Sequence, residues 1–260
     1  AYGNAVVLKP SELSPVMGMR LAETASVLPG GVFQVVQGDR EVGRALLEQK
    51  PLAAVSFTGS VATGQAISET CVRCHVRYQT EMGGKNVGIV LADADLEKAA
   101  NLIASGAMRF AGQKCTATSR VVVIESVADV FMGKLIEATR ALPVQNPLEP
   151  TCAIGPVISE AAKDRIDRFV ASAGDPVYRA TDVPSKGHFV APTIFDRVSP
   201  DSDLAQEEIF GPVLAVMRAK DFDEAISVAN GTQYGLSAAL YTSDLAAALC
   251  YIDRIEVGMV

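Results

Sequence analysis

Short apolar runs alternate with longer amphipathic stretches through the first eighty residues. Residues 5–8 (AVVL) form an apolar run closed by Lys9-Pro10. Ser14 and Pro15 then supply a cap and a first-turn residue for a helix reaching to about Leu28. Pro29-Gly30-Gly31 stops it, and residues 32–36 (VFQVV) read as a second strand. A helix over 41–49, a strand over 53–57 (AAVSF), a helix after Thr58-Gly59-Ser60 and a strand over 76–82 (VRYQTEM) continue the alternation. Strands separated by single helices predict parallel βαβ units, hence an α/β fold with a doubly wound sheet. Ligands of such sheets bind at the carboxyl ends of the strands. Lys9, Thr58 to Ser60 and Glu81 fall at those ends.

The remainder reads as a second α/β unit. Helices are expected over 93–106, with Asp95 near the cap, and over 128–141, 159–173, 222–230 and 245–252. Strands are expected at 120–124 (RVVVI) and 213–217 (VLAVM), with PTIFDRV at 192–198 after a loop over 174–187. Residues 143–156 are proline-rich and read as a surface connection. Gly112 to Thr116 form a turn that carries Cys115.

Composition narrows the function classes. Apolar residues make up 49% of the 260, enough for a sizeable core. The net charge of −7, with no block of like charges, argues against nucleic acid and acidic membranes as partners. No run of 18 apolar residues occurs, so no membrane span is expected. Five cysteines, an odd number over a long chain, point to a reducing compartment, and the expected location is cytoplasmic. The chain opens on Ala1 and closes on EVGMV in mid-pattern, as a piece of a longer protein would.

Three motifs compete for the chemistry. Cys71, Cys74 and His75 spell C-x-x-C-H, the haem-attachment spacing. A c-type haem needs a porphyrin pocket, whereas these residues lie near the end of a helix feeding a parallel strand. Two semi-buried thiols are the plainer account. With two histidines and no second C-x-x-C, no metal set is expected. Residues 59–64 have the glycine spacing of a phosphate loop but lack the following Lys-Ser/Thr, since Gln65-Ala66 stand there. A Gly-Ser turn opening a helix still presents N–H groups suited to one pyrophosphate, or is an ordinary βα turn. Cys115, in a glycine-containing turn beside Lys114, suits a nucleophile without an obvious histidine base.

Seven blocks, in order, settle the choice. VVLKPSE (6–12), FTGS (57–60), EMGGKN (81–86), AGQKCTATSR (111–120), APTIF (191–195), EEIFGPV (207–213) and AN-x-T-x-YGLSA (229–238) resemble the aldehyde dehydrogenase superfamily over the entire length. The resemblance implies a partial Rossmann-like parallel sheet in residues 1–83, the C-terminal part of a dinucleotide-binding domain, and a catalytic domain in 84–260. It implies oxidation of an aldehyde to a carboxylate with NAD or NADP. Cys115 would be the nucleophile, passing through a thiohemiacetal and a thioester, and Glu81 the general base. Lys9 and Glu12 match positions holding the adenosine ribose, Gly59 and Ser60 a pyrophosphate contact. Glu208 matches the residue binding the nicotinamide ribose and Phe210 the ring packing near the nicotinamide, and Gly83 is a further cofactor-binding candidate. A carboxylate at Glu12 repels a 2′-phosphate and favours NAD. The tract GQKCTATSR most resembles the branch that oxidises semialdehydes such as 2-oxoglutarate semialdehyde, where Lys114 would favour an acidic substrate.

Two departures stand beside these matches. Family members are nearly twice as long and form dimers or tetramers, so this chain is expected to be a fragment. The part outside it includes an asparagine that completes the oxyanion hole, and losing such a donor costs roughly 3 kcal/mol of catalysis. The C-x-x-C-H is not a family requirement.

Overall fold

The computed structural model describes residues 3–50 and 52–260. The chain divides into two compact units, Ala1–Met82 and Gly83–Val260.

The first unit runs β1 (Val6–Leu8), α1 (Pro15–Thr24), a 3₁₀ turn (Ala25–Val27), β2 (Phe33–Val35), α2 (Arg40–Leu47), β3 (Ala54–Thr58), α3 (Val61–Arg73) and β4 (Arg77–Glu81). Each helix starts for an identifiable reason. Pro15 occupies the first turn of α1, Asp39 accepts from the Glu41 N–H at α2, and Ser60 caps α3. Both strand pairs are parallel, Val6 to Leu8 against Phe33 to Val35 and Ala54 to Thr58 against Arg77 to Glu81. The parallel α/β class expected from the alternation, and the Rossmann-like sheet that the resemblance implies, are therefore found. The sheet itself is in two pieces, β1-β2 and β3-β4, with no ladder joining them among the described residues.

Parallel strands are ordinarily covered on both faces. Here Val6 and Val7 are 45% and 51% exposed, and Cys71 is the only buried hydrophobic side chain described in this unit. A two-stranded sheet without a covering layer is marginal on its own.

The second unit holds the core. It runs β5 (Val87–Val90), α4 (Leu96–Met108), a 3₁₀ turn (Arg109–Gly112), β6 (Arg120–Ile124), α5 (Glu125–Arg140), α6 (Glu160–Ser172), β7 (Tyr178–Arg179), β8 (Thr193–Phe195), α7 (Asp203–Gln206), β9 (Val213–Ala219), α8 (Phe222–Asn230), β10 (Ala238–Tyr241) and α9 (Leu245–Arg254). Its sheet has the order β10-β5-β6-β9-β8-β7, parallel throughout except for the β7-β8 pair. β5 and β6 are buried at every position, which is why VGIV and RVVVI are continuous apolar runs rather than alternating ones.

Two hydrophobic clusters fill this unit. One gathers α4, α5 and α6 with Val121, Val123, Leu214 and Val216, and the other gathers α8 and α9 with Val122, Met217 and Ile89. Alternate residues of β6 thus feed opposite faces, as a pleated strand requires. Asp95 caps α4 through the Lys98 N–H, as its position in the sequence implies. The hydrophobic pattern passes over β5, β7 and β10, which have four, two and four residues.

Candidate active site

The turn that carries Cys115 is built on unusual backbone. Phe110, Ala111 and Gly112 take φ of 57°, 53° and 67°, three consecutive left-handed residues of which only the last is glycine. A Cβ on Gly112 would lie 2.1 Å from the Gly211 carbonyl oxygen, so this glycine permits a backbone-to-backbone approach as well as its dihedral angle. Gln113 then fixes the loop outward, its side-chain oxygen accepting from the Ile158 N–H at 2.9 Å. Ala117 N–H donates to the Lys114 carbonyl and closes a tight turn with Cys115 inside it. The thiol-bearing residue is exposed. Lys114 places its ammonium 5.2 Å from the centre of the Phe110 ring, a cation–π contact.

Beneath this turn sits Asn86, a residue for which the sequence reading names no role. Its Nδ2 donates to the Cys115 carbonyl at 2.7 Å and to the Ala117 carbonyl at 2.9 Å, while its Oδ1 accepts from the Ser237 N–H at 3.1 Å. Its backbone carbonyl accepts from the Ser119 and Arg120 N–H groups. One buried amide therefore ties the end of the nucleophile turn to the start of β6 and the approach to β10. The available signal was its place at the end of EMGGKN, immediately before a buried strand.

Glu208 and the glycine pair interlock. The Gly84 N–H donates to Glu208 Oε1 at 3.1 Å, and a Cβ on Gly83 would come within 2.0 Å of the other carboxylate oxygen. A Cβ on Gly84 would be 3.0 Å from the Cys115 carbonyl oxygen. The absence of side chains at the two glycines thus lets the Glu208 carboxylate lie against one and the Cys115 turn against the other. Phe210 follows with φ of 53° and is 39% exposed. Buried Lys85 completes the cluster. Its Nζ has no hydrogen-bond partner among the described residues, and burial pushes its ammonium down to about 7. Arg120 pushes the same way, against the opposing pull of Glu208 and Glu207. Burial and the same two carboxylates raise the Tyr234 phenol.

The first unit brings together a different set. Glu81 ends β4 opposite Thr58, and its carbonyl accepts from the Gly59 N–H at 3.0 Å. Its exposed carboxylate accepts from Gln79 at 3.1 Å. Ser60 begins α3, with its hydroxyl 3.4 Å from the Thr63 N–H. The remaining first-turn N–H groups of a helix have no intrahelical acceptor and suit an anion. Lys9 donates to the Pro10 and Gly38 carbonyls at 2.7 and 2.9 Å, which ties the ends of β1 and β2 together. Glu12 is exposed in a turn.

The C-x-x-C-H has a local explanation. α3 ends in a Schellman motif: Val76 N–H donates to the Cys71 carbonyl and His75 N–H to that of Val72. Cys74 is the cap residue, and His75, at φ 55°, takes the left-handed position usually given to glycine. Helix termination accounts for this spacing without a prosthetic group. No helix among the described residues is long and apolar enough to cross a membrane.

Comparison with known proteins identifies the family. The aldehyde dehydrogenase family model matches residues 1–260. The chain is 38% identical over 268 residues to malonate-semialdehyde dehydrogenase 2 of Geobacillus thermodenitrificans, covering 100% of the chain and 56% of that protein. It is 37% identical over 273 residues to alpha-ketoglutaric semialdehyde dehydrogenase of Bacillus subtilis, covering 100% and 55%. The crystal structure of an NAD-dependent aldehyde dehydrogenase from Sinorhizobium meliloti superposes with a TM-score of 0.93 at 40% identity, over 98% of this chain and 52% of that one. The chain thus spans about half the length of the relatives it matches. With the family match unbroken from the first residue to the last, the chain belongs to the aldehyde dehydrogenase family.

Proposed function

We propose that this chain carries the nucleophile and part of the cofactor site of an NAD(P)-dependent dehydrogenase that oxidises a semialdehyde to a carboxylate. The observation that bears most weight is the double use of the Gly83-Gly84 backbone, against Glu208 on one side and the Cys115 turn on the other. Glu208, anchored on the Gly84 N–H beside the Cys115 turn, suits ribose hydroxyls at the nicotinamide end of a dinucleotide. Gly59, Ser60 and the start of α3 suit a pyrophosphate, while Lys9 and Glu12 suit the adenosine ribose. Glu12 favours NAD over NADP. The bound dinucleotide supplies the hydride acceptor.

In this reading the Cys115 thiolate adds to the aldehyde carbon and gives a thiohemiacetal. The Cys115 N–H stabilises the oxyanion. Loss of hydride leaves a thioester, and Glu81 removes a proton from the water that hydrolyses it. A semialdehyde substrate is supported by the names of the two curated relatives. Lys114 contributes to substrate choice only if it leaves the Phe110 ring on which it rests.

We propose further that turnover belongs to a longer protein, which the family's habit of assembly makes a homodimer or homotetramer. The half-length coverage and the uncovered parallel strands of the first unit support this. NADH formation by the full-length protein with malonate and 2-oxoglutarate semialdehydes tests the proposal. Cys115→Ser should abolish NADH formation, whereas Glu81→Gln should allow one rapid equivalent and then stall. Unchanged turnover in Cys115→Ser would sink the mechanism, and robust turnover by residues 1–260 alone would sink the fragment reading.

A further inference from the structure

We propose that Cys71 and Cys74 are a dithiol site, which a low-molecular-weight disulfide such as oxidised glutathione converts to a disulfide across the last turn of α3. The chemistry assigned to Cys115 uses neither thiol, and the bridge is independent of that assignment.

Position carries the argument. The two cysteines are three residues apart, close to one turn, which puts their Cα atoms about 5 Å apart on the same face of the helix. A disulfide accepts Cα separations of roughly 4.4–6.8 Å. The Cβ atoms of such a pair start about 5–6 Å apart and a disulfide wants roughly 3.5–4.5 Å, so one residue must move inward. Cys74 is free to do so. It is the cap rather than an interior residue, with φ −93° and ψ 2°, and the chain leaves the helix immediately after it. His75 already holds a left-handed conformation, a strained one for a residue with a Cβ. The last turn is therefore the weakest part of α3.

Exposure sets the order of events. Cys74 is exposed and Cys71 is 2% exposed, so the first exchange occurs at Cys74. The Cys74 thiolate attacks one sulfur of the small disulfide and expels a thiolate, leaving a mixed disulfide. The Cys71 thiol gives its proton to water and attacks the Cys74 sulfur, expelling the second small thiolate. Two protein thiols are oxidised and one disulfide is reduced to two thiols, so electrons balance without a metal or a further oxidant. Cys71 also bears the carbonyl that accepts from the Val76 N–H. Drawing Cys74 toward it loosens the Schellman bonds at His75 and Val76.

The full-length protein, incubated with oxidised glutathione, blocked with iodoacetamide and mapped by mass spectrometry, provides the test. The peptide spanning Cys71 and Cys74 should lose two hydrogens. Amide exchange at His75 and Val76 should quicken at least severalfold in the bridged form. Cys71→Ser should hold glutathione on Cys74 as a stable adduct, and Cys74→Ser should leave Cys71 unreacted. A lasting glutathione adduct on Cys74 of the unsubstituted chain would overturn the proposal, as would a bridge from either residue to Cys115, Cys152 or Cys250. So would free thiols at both positions once Cys115 has reacted fully.

Discussion

The side-chain amide of Asn86 donates to the carbonyl of Cys115 across 2.7 Å, from a residue 29 positions earlier in the chain. That amide satisfies three backbone groups at once, two carbonyls and the Ser237 N–H, while 5% exposed. Asn86→Ala removes all three bonds and leaves buried polar atoms without partners, at about 1–3 kcal/mol for each group that water cannot reach. A total loss of about 2–4 kcal/mol is expected from urea unfolding. Asn86→Asp should be worse than alanine near neutral pH, because it turns a carboxylate toward the two carbonyls where donors are needed. The rate at which iodoacetamide labels Cys115 should also change in either variant. A labelling rate identical to the parent chain's would show that Asn86 has no hold on the turn.

Gly83 separates a stability effect from a functional one. A methyl group there would sit 2.0 Å from a Glu208 carboxylate oxygen, but that oxygen ends a flexible side chain on a half-buried residue. Glu208 can swing away, giving up its bond to the Gly84 N–H. Gly83→Ala should therefore cost no more than about 1.5–3 kcal/mol in stability, the worth of one hydrogen bond to a carboxylate. Under the proposed reading it should weaken NAD affinity of the full-length protein by an order of magnitude or more, and Glu208→Gln should do so to a similar extent. Calorimetric titration with NAD checks both. Tight binding by Gly83→Ala would detach Glu208 from the cofactor.

Lys85 makes stability depend on pH in a defined direction. Its folded value of about 7 lies below the ordinary 10.5, with burial the chief cause. Between those values the unfolded chain binds a proton that the folded chain does not, so stability rises with pH from about 7 to about 10. The full penalty, present below pH 7, is on the order of 3–5 kcal/mol. Lys85→Met fills the same space without a charge. It should raise the melting temperature at pH 7 and flatten stability between pH 7 and 10, as measured by thermal unfolding across that range. An unchanged slope would mean that Lys85 reaches water or a carboxylate in solution.

How far the sequence shows this arrangement depends on what kind of information each part needs. Helix starts were legible because one side chain decides them, as Asp95 and Ser60 do. The continuous apolar runs of β6 and β9 were legible because burial on both faces demands them. β10 was not, because its pairing with β5 joins segments about 150 residues apart and leaves little local pattern. Glu81 stood out by its place at a strand end and Cys115 by its glycine-containing turn, but their roles, and Glu208 altogether, needed the surrounding blocks, since a loop carboxylate alone looks ordinary. For Asn86 the sequence offers only its place at the end of EMGGKN, not its role. Its three partners lie at Cys115, Ala117 and Ser237, and only the folded chain puts them around one amide. In C-x-x-C-H, three familiar letters disguised a helix ending, because His75 occupies a backbone position normally marked by glycine.

The left-handed turn before Cys115 gives a matched pair of substitutions with opposite expectations. Ala111, at φ 53°, holds a conformation that costs a residue with a Cβ about 1–2 kcal/mol. Ala111→Gly relieves that strain, but the methyl is 1% exposed and its burial is worth about 0.8 kcal/mol. The two terms nearly cancel, so stability should move by less than about 1 kcal/mol. Gly112→Ala is not compensated. It adds the same dihedral cost and drives a methyl to 2.1 Å from the Gly211 carbonyl oxygen, a backbone atom that cannot rotate aside. At least 3 kcal/mol should be lost, a large single-residue effect. The same clash shifts the segment that begins with Phe210, so Cys115 labelling should change in Gly112→Ala and hold in Ala111→Gly. Equal stabilities for the two variants in urea would mean that the turn is not left-handed in solution.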